Sequence, residues 1–165
     1  MIDITHIHPM LVHFPVVLFI TTAAINLLVL VRKGNLASRQ CLSLISLAAI
    51  GLGVVMAVIA AAFGDIALDA ALDKGFDKKP LEEHEDLALI TIVFFAVLAL
   101  IQGFSVWKGR PLAGFRTPVI FVASVVGIGL LIATAYHGGH LVYDIGVNVT
   151  PVKPQHAVTD IIPMK

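Results

Sequence analysis

The chain of 165 residues is 58% hydrophobic and only 13% charged, and its mean hydropathy is +0.96. Soluble domains are about 45–50% apolar and about 25% charged, so this composition indicates a membrane protein. The 11 basic and 11 acidic residues cancel, so the overall charge predicts no nucleic-acid partner. The length fits a single membrane domain over residues 1–165.

Four long segments contain no Asp, Glu, Lys or Arg: residues 11–31, 42–64, 87–107 and 118–136. Each is close to the roughly 20 residues that a helix needs to cross about 30 Å of hydrocarbon. Because these segments are continuously apolar and lack the two-residue alternation of barrel strands, they predict helices. The fold class is therefore expected to be all-α, a transmembrane four-helix bundle with an outer loop over 65–86 and an outer tail over 137–165.

Charged residues divide between the two ends of the predicted bundle. The two short loops between spans are basic, whereas all 11 acidic residues fall on the opposite side. The basic residues of these loops are Arg32, Lys33, Arg39, Lys108, Arg110 and Arg116. Because short loops rich in Lys and Arg stay in the cytoplasm, both termini are expected outside, in a multi-pass arrangement in the lipid bilayer.

The second predicted span carries small residues at four-residue intervals: Ala49, Gly53, Ala57 and Ala61. Small residues along one face let a neighbouring helix backbone approach closely, so the stripe predicts tight bundle packing. The same gap would also seat the edge of a flat cofactor.

Two details concern the outer side. Residues 66–74, within the outer loop, are compatible with a short interfacial helix. The pair of glycines at positions 138 and 139 predicts the end of the fourth helix, beyond which the chain should turn.

Seven histidines occur, and the predicted topology places all of them at or beyond the outer boundary of the membrane. They are His6, His8, His13, His84, His137, His140 and His156. Imidazole binds iron, copper and zinc, and histidines in a membrane span usually face the bundle interior or a polar cavity. A single histidine at a helix end is usually an interfacial residue, but several at one depth on three helices predict a bound metal or haem.

The spacing limits which histidines can act together. His8 and His13 are about 140° apart on an ideal helix, so at most one of them faces the bundle, and His13, which lies deeper, is expected to do so. His137 and His140 share a face only if the fourth helix continues through the two glycines between them.

The kind of cofactor is open at this point. Zinc or copper requires three or four converging ligands, which the histidines and nearby acids such as Asp65 would provide. Haem b requires one or two axial histidines and an apolar slot between helices, which a bundle lined with Gly, Ala, Val and Leu provides. Covalent haem is not expected, because the CxxCH motif is absent from the sequence.

Two motifs and one histidine resemble a known family. The segment HPMLVHFP at residues 8–15, His84, and GGHLVY at residues 138–143 followed by Gly146 are similar to the bacterial membrane family catalogued as domain of unknown function 2231. The resemblance covers nearly the whole chain. Relatives in that family occur fused to Rieske iron–sulfur and cytochrome c domains, which implies electron transfer at the bacterial inner (cytoplasmic) membrane. Carried onto this chain, the resemblance makes His13, His84 and His137 the first candidate haem ligands, with His8 and His140 next.

The leading hypothesis is a small membrane b-type cytochrome with one or two haems near the outer face. It would pass electrons between a quinone or membrane partner and an external acceptor of the Rieske or cytochrome c type. The alternatives are a copper, zinc or non-haem iron protein that uses the same five histidines, and a cofactor-free membrane anchor for a redox partner.

Other classes of function have less support in the sequence. A transporter ranks last, because none of the spans contains an internal charge. No motif predicts independent catalysis. Assembly as a homo-oligomer remains open.

Overall fold

The computed structural model describes residues 4–36, 38–108 and 116–149. A short 3₁₀ turn over Ile4–His6 leads into five α-helices: α1 (Ile7–Leu11), α2 (His13–Val31), α3 (Cys41–Asp73), α4 (Lys78–Trp107) and α5 (Arg116–Tyr143). Val12, between α1 and α2, keeps helical backbone angles (φ −61°, ψ −21°), so these two helices form one rod over Ile7–Val31. The described ranges contain no strand.

The α1–α2 rod, α3, α4 and α5 are the four segments of the described chain that are long and apolar enough to cross a membrane. Helix α2 packs against α3 and α5, and α4 packs against the same two helices. In this bundle α2 and α4 are therefore diagonal partners. The arrangement confirms the predicted all-α transmembrane four-helix bundle. We call the end that holds His8 and His84 the histidine end, and the end that holds residues 32–36 and 38–40 the basic end.

The middle of the bundle is filled by two phenylalanines from the diagonal helices. Phe19 of α2 and Phe95 of α4 are stacked, with ring centroids 3.8 Å apart and planes within 4° of parallel. Glycines make room for both rings: a Cβ at Gly53 would lie 2.7 Å from Phe19, and a Cβ at Gly127 would lie 2.6 Å from Phe95. Phe19 thus fills the gap that the small-residue stripe leaves at Gly53, so at this depth the stripe serves helix packing.

A buried polar cluster lies between the aromatic pair and the basic end. Asn26, which is 0% exposed, donates from Nδ2 to Ser124 Oγ at 2.8 Å and accepts at Oδ1 from Ser46 Oγ at 2.6 Å. One side chain therefore connects α2 to both of its neighbours. Such interhelical hydrogen bonds satisfy polar groups that the hydrocarbon cannot.

All four crossing helices extend further at the histidine end than hydropathy suggested, and the α1–α2 rod begins at Ile7 rather than at residue 11. Helix α3 does not end at residue 64 but continues to Asp73, α4 begins at Lys78, and α5 runs through both glycines to Tyr143. Hydropathy indicates where a segment leaves the hydrocarbon, but it does not indicate where the helix ends. A helix can continue into water with charged side chains. The expected loop over 65–86 shrinks to residues 74–77, where Gly75 adopts a φ of 86° and Asp77 Oδ1 accepts a hydrogen bond from the Lys79 N–H at 3.3 Å.

The extended helix ends form a cap, defined as residues 65–86 and 137–149, with an apolar core of its own. The buried members of this core are Ala71, Leu81, Leu141 and Val147. Asn148 fastens the last described residues to α3, because its Nδ2 donates to Ala67 O at 3.1 Å and its Oδ1 accepts from Lys74 Nζ at 3.1 Å. The cap covers the histidine end. The remaining tail, with His156, lies outside the described residues.

Candidate functional site

His8 is the first of two histidines that are anchored to a neighbouring helix. Its Nδ1–H donates to the backbone carbonyl of Ala60 on α3 at 2.7 Å. Gly64, one turn further along α3, lies against the same ring, since a Cβ there would be 3.0 Å from His8 Nδ1. The absence of a side chain at position 64 lets the imidazole reach the helix backbone.

His84 on α4 repeats this arrangement against α5. Its Nδ1–H donates to the carbonyl of Thr134 at 3.1 Å, and a Cβ at Gly138, again four residues later, would lie 2.9 Å from His84 Cε1. The Thr134 hydroxyl in turn lies 2.9 Å from that of Thr91 on α4. In both cases a helical carbonyl accepts from the histidine, and a glycine one turn later leaves space for its ring.

The two imidazoles face each other across the bundle axis. Their ring centroids are 6.4 Å apart and their planes cross at 85°. A carbonyl oxygen only accepts hydrogen bonds, so each Nδ1 carries a proton, which in a neutral imidazole leaves the lone pair on Nε2. The histidine end therefore presents two imidazoles, each held in one orientation by a backbone carbonyl.

The same contacts recur in the two halves of the chain at nearly constant offsets. A residue on α1 or α2 corresponds to the residue 76 positions later on α4. A residue on α3 corresponds to the residue 74 positions later on α5. The corresponding pairs are His8 and His84, Phe19 and Phe95, Asn26 and Gln102, Gly53 and Gly127, and Gly64 and Gly138. The bundle thus consists of two similar helical hairpins related by an approximate twofold axis, and His8 and His84 occupy equivalent positions.

The expectation that His13 rather than His8 faces the bundle is wrong. His13 is exposed, whereas His8 is partly buried against α3. Depth in the membrane was the wrong criterion. The continuous rod Ile7–Val31 fixes the direction of both side chains, and only that of His8 points at α3. The expectation that at most one of the two faces the bundle agrees with the structure.

His137 and His140 lie on α5, outside the facing pair. Because the helix continues through the glycines, both line one shallow pocket of about 240 Å³ beside Pro80 and Glu83. His137 packs edge-on against Tyr136, with ring centroids 5.9 Å apart. His140 is exposed and donates from Nδ1 to Asp144 Oδ2 at 2.6 Å. The structure therefore brings His8 and His84 together and leaves His140 and His13 at the surface.

The acids beside the histidines, Glu83 and Asp144, do not complete a metal site in the described residues. In residues 4–36, 38–108 and 116–149, no three His, Cys, Asp or Glu side chains are grouped as ligands of a metal ion. Asp65, the acid expected to complete a metal site, is exposed. The candidate cofactor site is thus the pair His8 and His84.

Comparison with known proteins gives one result. No curated protein and no solved structure matches the chain. A match to a family does cover residues 5–151, which include both histidine-bearing hairpins and the GGHLVY segment. The chain belongs to the family described as "Predicted membrane protein (DUF2231)".

Proposed function

We propose that this protein is a small membrane b-type cytochrome in which His8 and His84 are the axial ligands of one haem b. The observation that carries the proposal is the pair of anchored imidazoles 6.4 Å apart across the bundle axis. Two imidazoles bound on opposite sides of one metal have ring centroids about 6.3 Å apart. Each centroid lies from the metal by one metal–nitrogen bond, about 2.0–2.1 Å, plus the distance from the nitrogen to the centre of the ring.

The surroundings of the two rings suit metal ligands. A ligating histidine almost always donates its other N–H to a carboxylate, a carbonyl or water, which fixes the ring and increases its basicity. His8 and His84 do so to Ala60 and Thr134. A haem also needs only two protein ligands, whereas a structural zinc site needs four.

This assignment revises the first set of candidate ligands. His8 takes the place of His13, which is exposed, and His84 is retained. His137 and His140 are set aside as axial ligands because they line a shallow pocket between α4 and α5 and neither is paired with His8 or His84 by a hydrogen bond or ring contact. One facing pair favours one haem rather than two.

The chemistry follows from the position of the pair. Haem iron supplies reversible one-electron transfer. The protein's own part is to hold the two imidazoles rigidly through backbone carbonyls and to cover them with the cap. A site at one end of the bundle suits a quinol in the bilayer as donor and a Rieske or cytochrome c type protein as acceptor. The basic loops orient the histidine end outward, which in the bacterial inner membrane is the periplasmic side.

The decisive measurement is the visible spectrum of the detergent-purified protein, oxidised and dithionite-reduced, with metal analysis of the same sample. We expect a Soret band that sharpens on reduction, with α and β bands. His8→Ala and His84→Ala should lose most of the haem, while the matched surface variants His13→Ala and His140→Ala keep it. His84→Met should retain haem at a higher midpoint potential, because Met/His ligation raises it. Equal haem content in all four alanine variants contradicts the assignment.

A second candidate is a single copper ion held between the same two histidines. The centroid separation fits it equally well, and imidazole is a suitable copper ligand. A colourless protein with stoichiometric copper that is lost in His8→Ala would favour this candidate. If neither haem nor metal is found after haem is supplied during expression, a cofactor-free membrane anchor becomes the better hypothesis.

A further inference from the structure

Gln102 on α4 brings a polar side chain into the bundle without satisfying all of it. The side chain is 0% exposed, and its Nε2 donates to Ser46 Oγ at 3.3 Å and to Ser43 O at 3.5 Å. Its Oε1 is buried and has no hydrogen-bond donor among the described protein atoms. An amide flip does not help, because it would place Oε1 about 3.5 Å from the Ser43 carbonyl oxygen, and two acceptors repel each other.

The approximate twofold axis explains why Oε1 lacks a donor. The equivalent residue in the first hairpin is Asn26, whose Oδ1 accepts from Ser46 on the adjacent helix at 2.6 Å. The position 74 residues after Ser46 is Ile120, which is buried and apolar. The hydroxyl that serves the first hairpin therefore has no counterpart in the second.

We infer that Gln102 Oε1 binds one ordered water molecule inside the bundle. An unpaired carbonyl in a membrane interior is unfavourable, and the buried waters of proteins typically make two to four hydrogen bonds to polar groups that are otherwise unsatisfied. Ser105, about one turn further along α4, is also buried, and its hydroxyl donates to Ile101 O, so its lone pairs remain free to accept a hydrogen bond.

The water reaches this site from the basic end. Gln102 lies five residues before Trp107, which is about 7.5 Å along the helix. In the other direction the stacked rings of Phe19 and Phe95 close the bundle. The site is thus separate from the histidine pair, and it does not depend on whether the protein binds haem.

The direct test is nuclear magnetic resonance of the full chain in detergent micelles. We expect the side-chain amide protons of Gln102, identified by their loss in Gln102→Met, to show a cross-peak to water with the sign of a long-lived bound molecule. Gln40, which is exposed, serves as the internal control and should show only rapid exchange. The absence of a long-lived contact at Gln102 overturns the inference, as does a shift of these signals that requires sodium, which would identify a cation.

Two substitutions test the same inference, one by resonance and one by stability. In Ile120→Ser, the new hydroxyl should replace the water as the donor to Gln102 Oε1, so the cross-peak to water disappears while the bundle remains folded. Gln102→Leu should lower the unfolding midpoint, because it removes a fully hydrogen-bonded side chain. If Oε1 were unpaired in the protein, the leucine would instead raise the midpoint, since it would remove an unsatisfied buried group.

Discussion

Gly138 lies directly against the imidazole of His84, so a Cβ at position 138 would be only 2.9 Å from His84 Cε1. The glycine that was expected to end the fourth helix therefore lies inside it and makes room for a ring from α4. The same relation links Gly64 to His8. Both glycines are consequently part of the candidate site.

The first prediction concerns Gly138→Ala. The added methyl must displace the His84 ring or separate α4 from α5, which typically costs about 1–3 kcal/mol. The gain in helix propensity, about 1 kcal/mol, offsets only part of this. We expect a lower unfolding midpoint in mixed detergent micelles and a lower haem content if haem is bound.

Gly139→Ala is the matched control, because the nearest atom to its Cβ would be Tyr143 Cδ2 at 4.0 Å. This variant should be neutral or stabilised by up to about 1 kcal/mol. Equal effects at the two neighbouring positions would show that the contact with His84 is unimportant.

The second prediction concerns the aromatic pair in the middle of the bundle. Gly127→Ala would place a methyl 2.6 Å from Phe95 Cζ, and that ring is already stacked on Phe19. We expect a loss of about 1–3 kcal/mol in unfolding free energy. The double variant with Phe95→Leu should recover part of the loss, whereas Gly129→Ala, which meets nothing within 4 Å, should not destabilise.

The third prediction concerns Asn26→Leu. The substitution removes two interhelical hydrogen bonds, which in membrane proteins average about 0.6 kcal/mol each and reach about 1.7. We therefore expect a loss of about 1–2 kcal/mol, measured by unfolding in mixed micelles. Thr21→Leu, at an exposed position one and a half turns earlier, should change the midpoint little. An Asn26→Leu variant as stable as the natural chain would contradict the assigned hydrogen bonds.

The fourth prediction tests the cap. Leu81 is 3% exposed and packs in the apolar core of the cap, so Leu81→Ala should cost about 2–5 kcal/mol of local or global stability. Hydrogen exchange of the cap amides would locate the effect. Leu89→Ala, at a position 59% exposed on the same helix, is the control and should leave exchange in the cap unchanged.

The membrane spans were predictable because a segment surrounded by hydrocarbon consists mainly of apolar residues, which raises its hydropathy. Runs such as 42–64 lie within the helices that the structure shows. Helix ends were less predictable, since the cap is held by a few apolar contacts around Leu81 and Leu141 that a sequence window cannot assemble. His84 was chosen from its position at a helix start. His8 was not expected to face the bundle, because the packing of α1 against α3, not depth, decides which histidine turns inward.

The sequence nevertheless contains a signal that identifies His8 as the counterpart of His84. It precedes Phe19 by 11 residues and Asn26 by 18, and His84 precedes Phe95 and Gln102 by the same intervals. An alignment of the chain with itself at an offset of 76 therefore pairs the two histidines. Composition and hydropathy do not detect this repeat, because both average over a window in which most residues are apolar.

The depth of the histidine pair also sets how strongly membrane voltage acts on it. His84 lies three residues before Leu87, the first residue of the uncharged run in α4, so the pair is at one edge of the insulating layer. Moving one elementary charge across the whole layer against 100 mV requires about 2.3 kcal/mol. A charge that reaches this pair from the nearer aqueous side crosses only a small part of that voltage. If the pair holds a haem, as proposed, electron exchange there should proceed at nearly the same rate in energised and de-energised membranes.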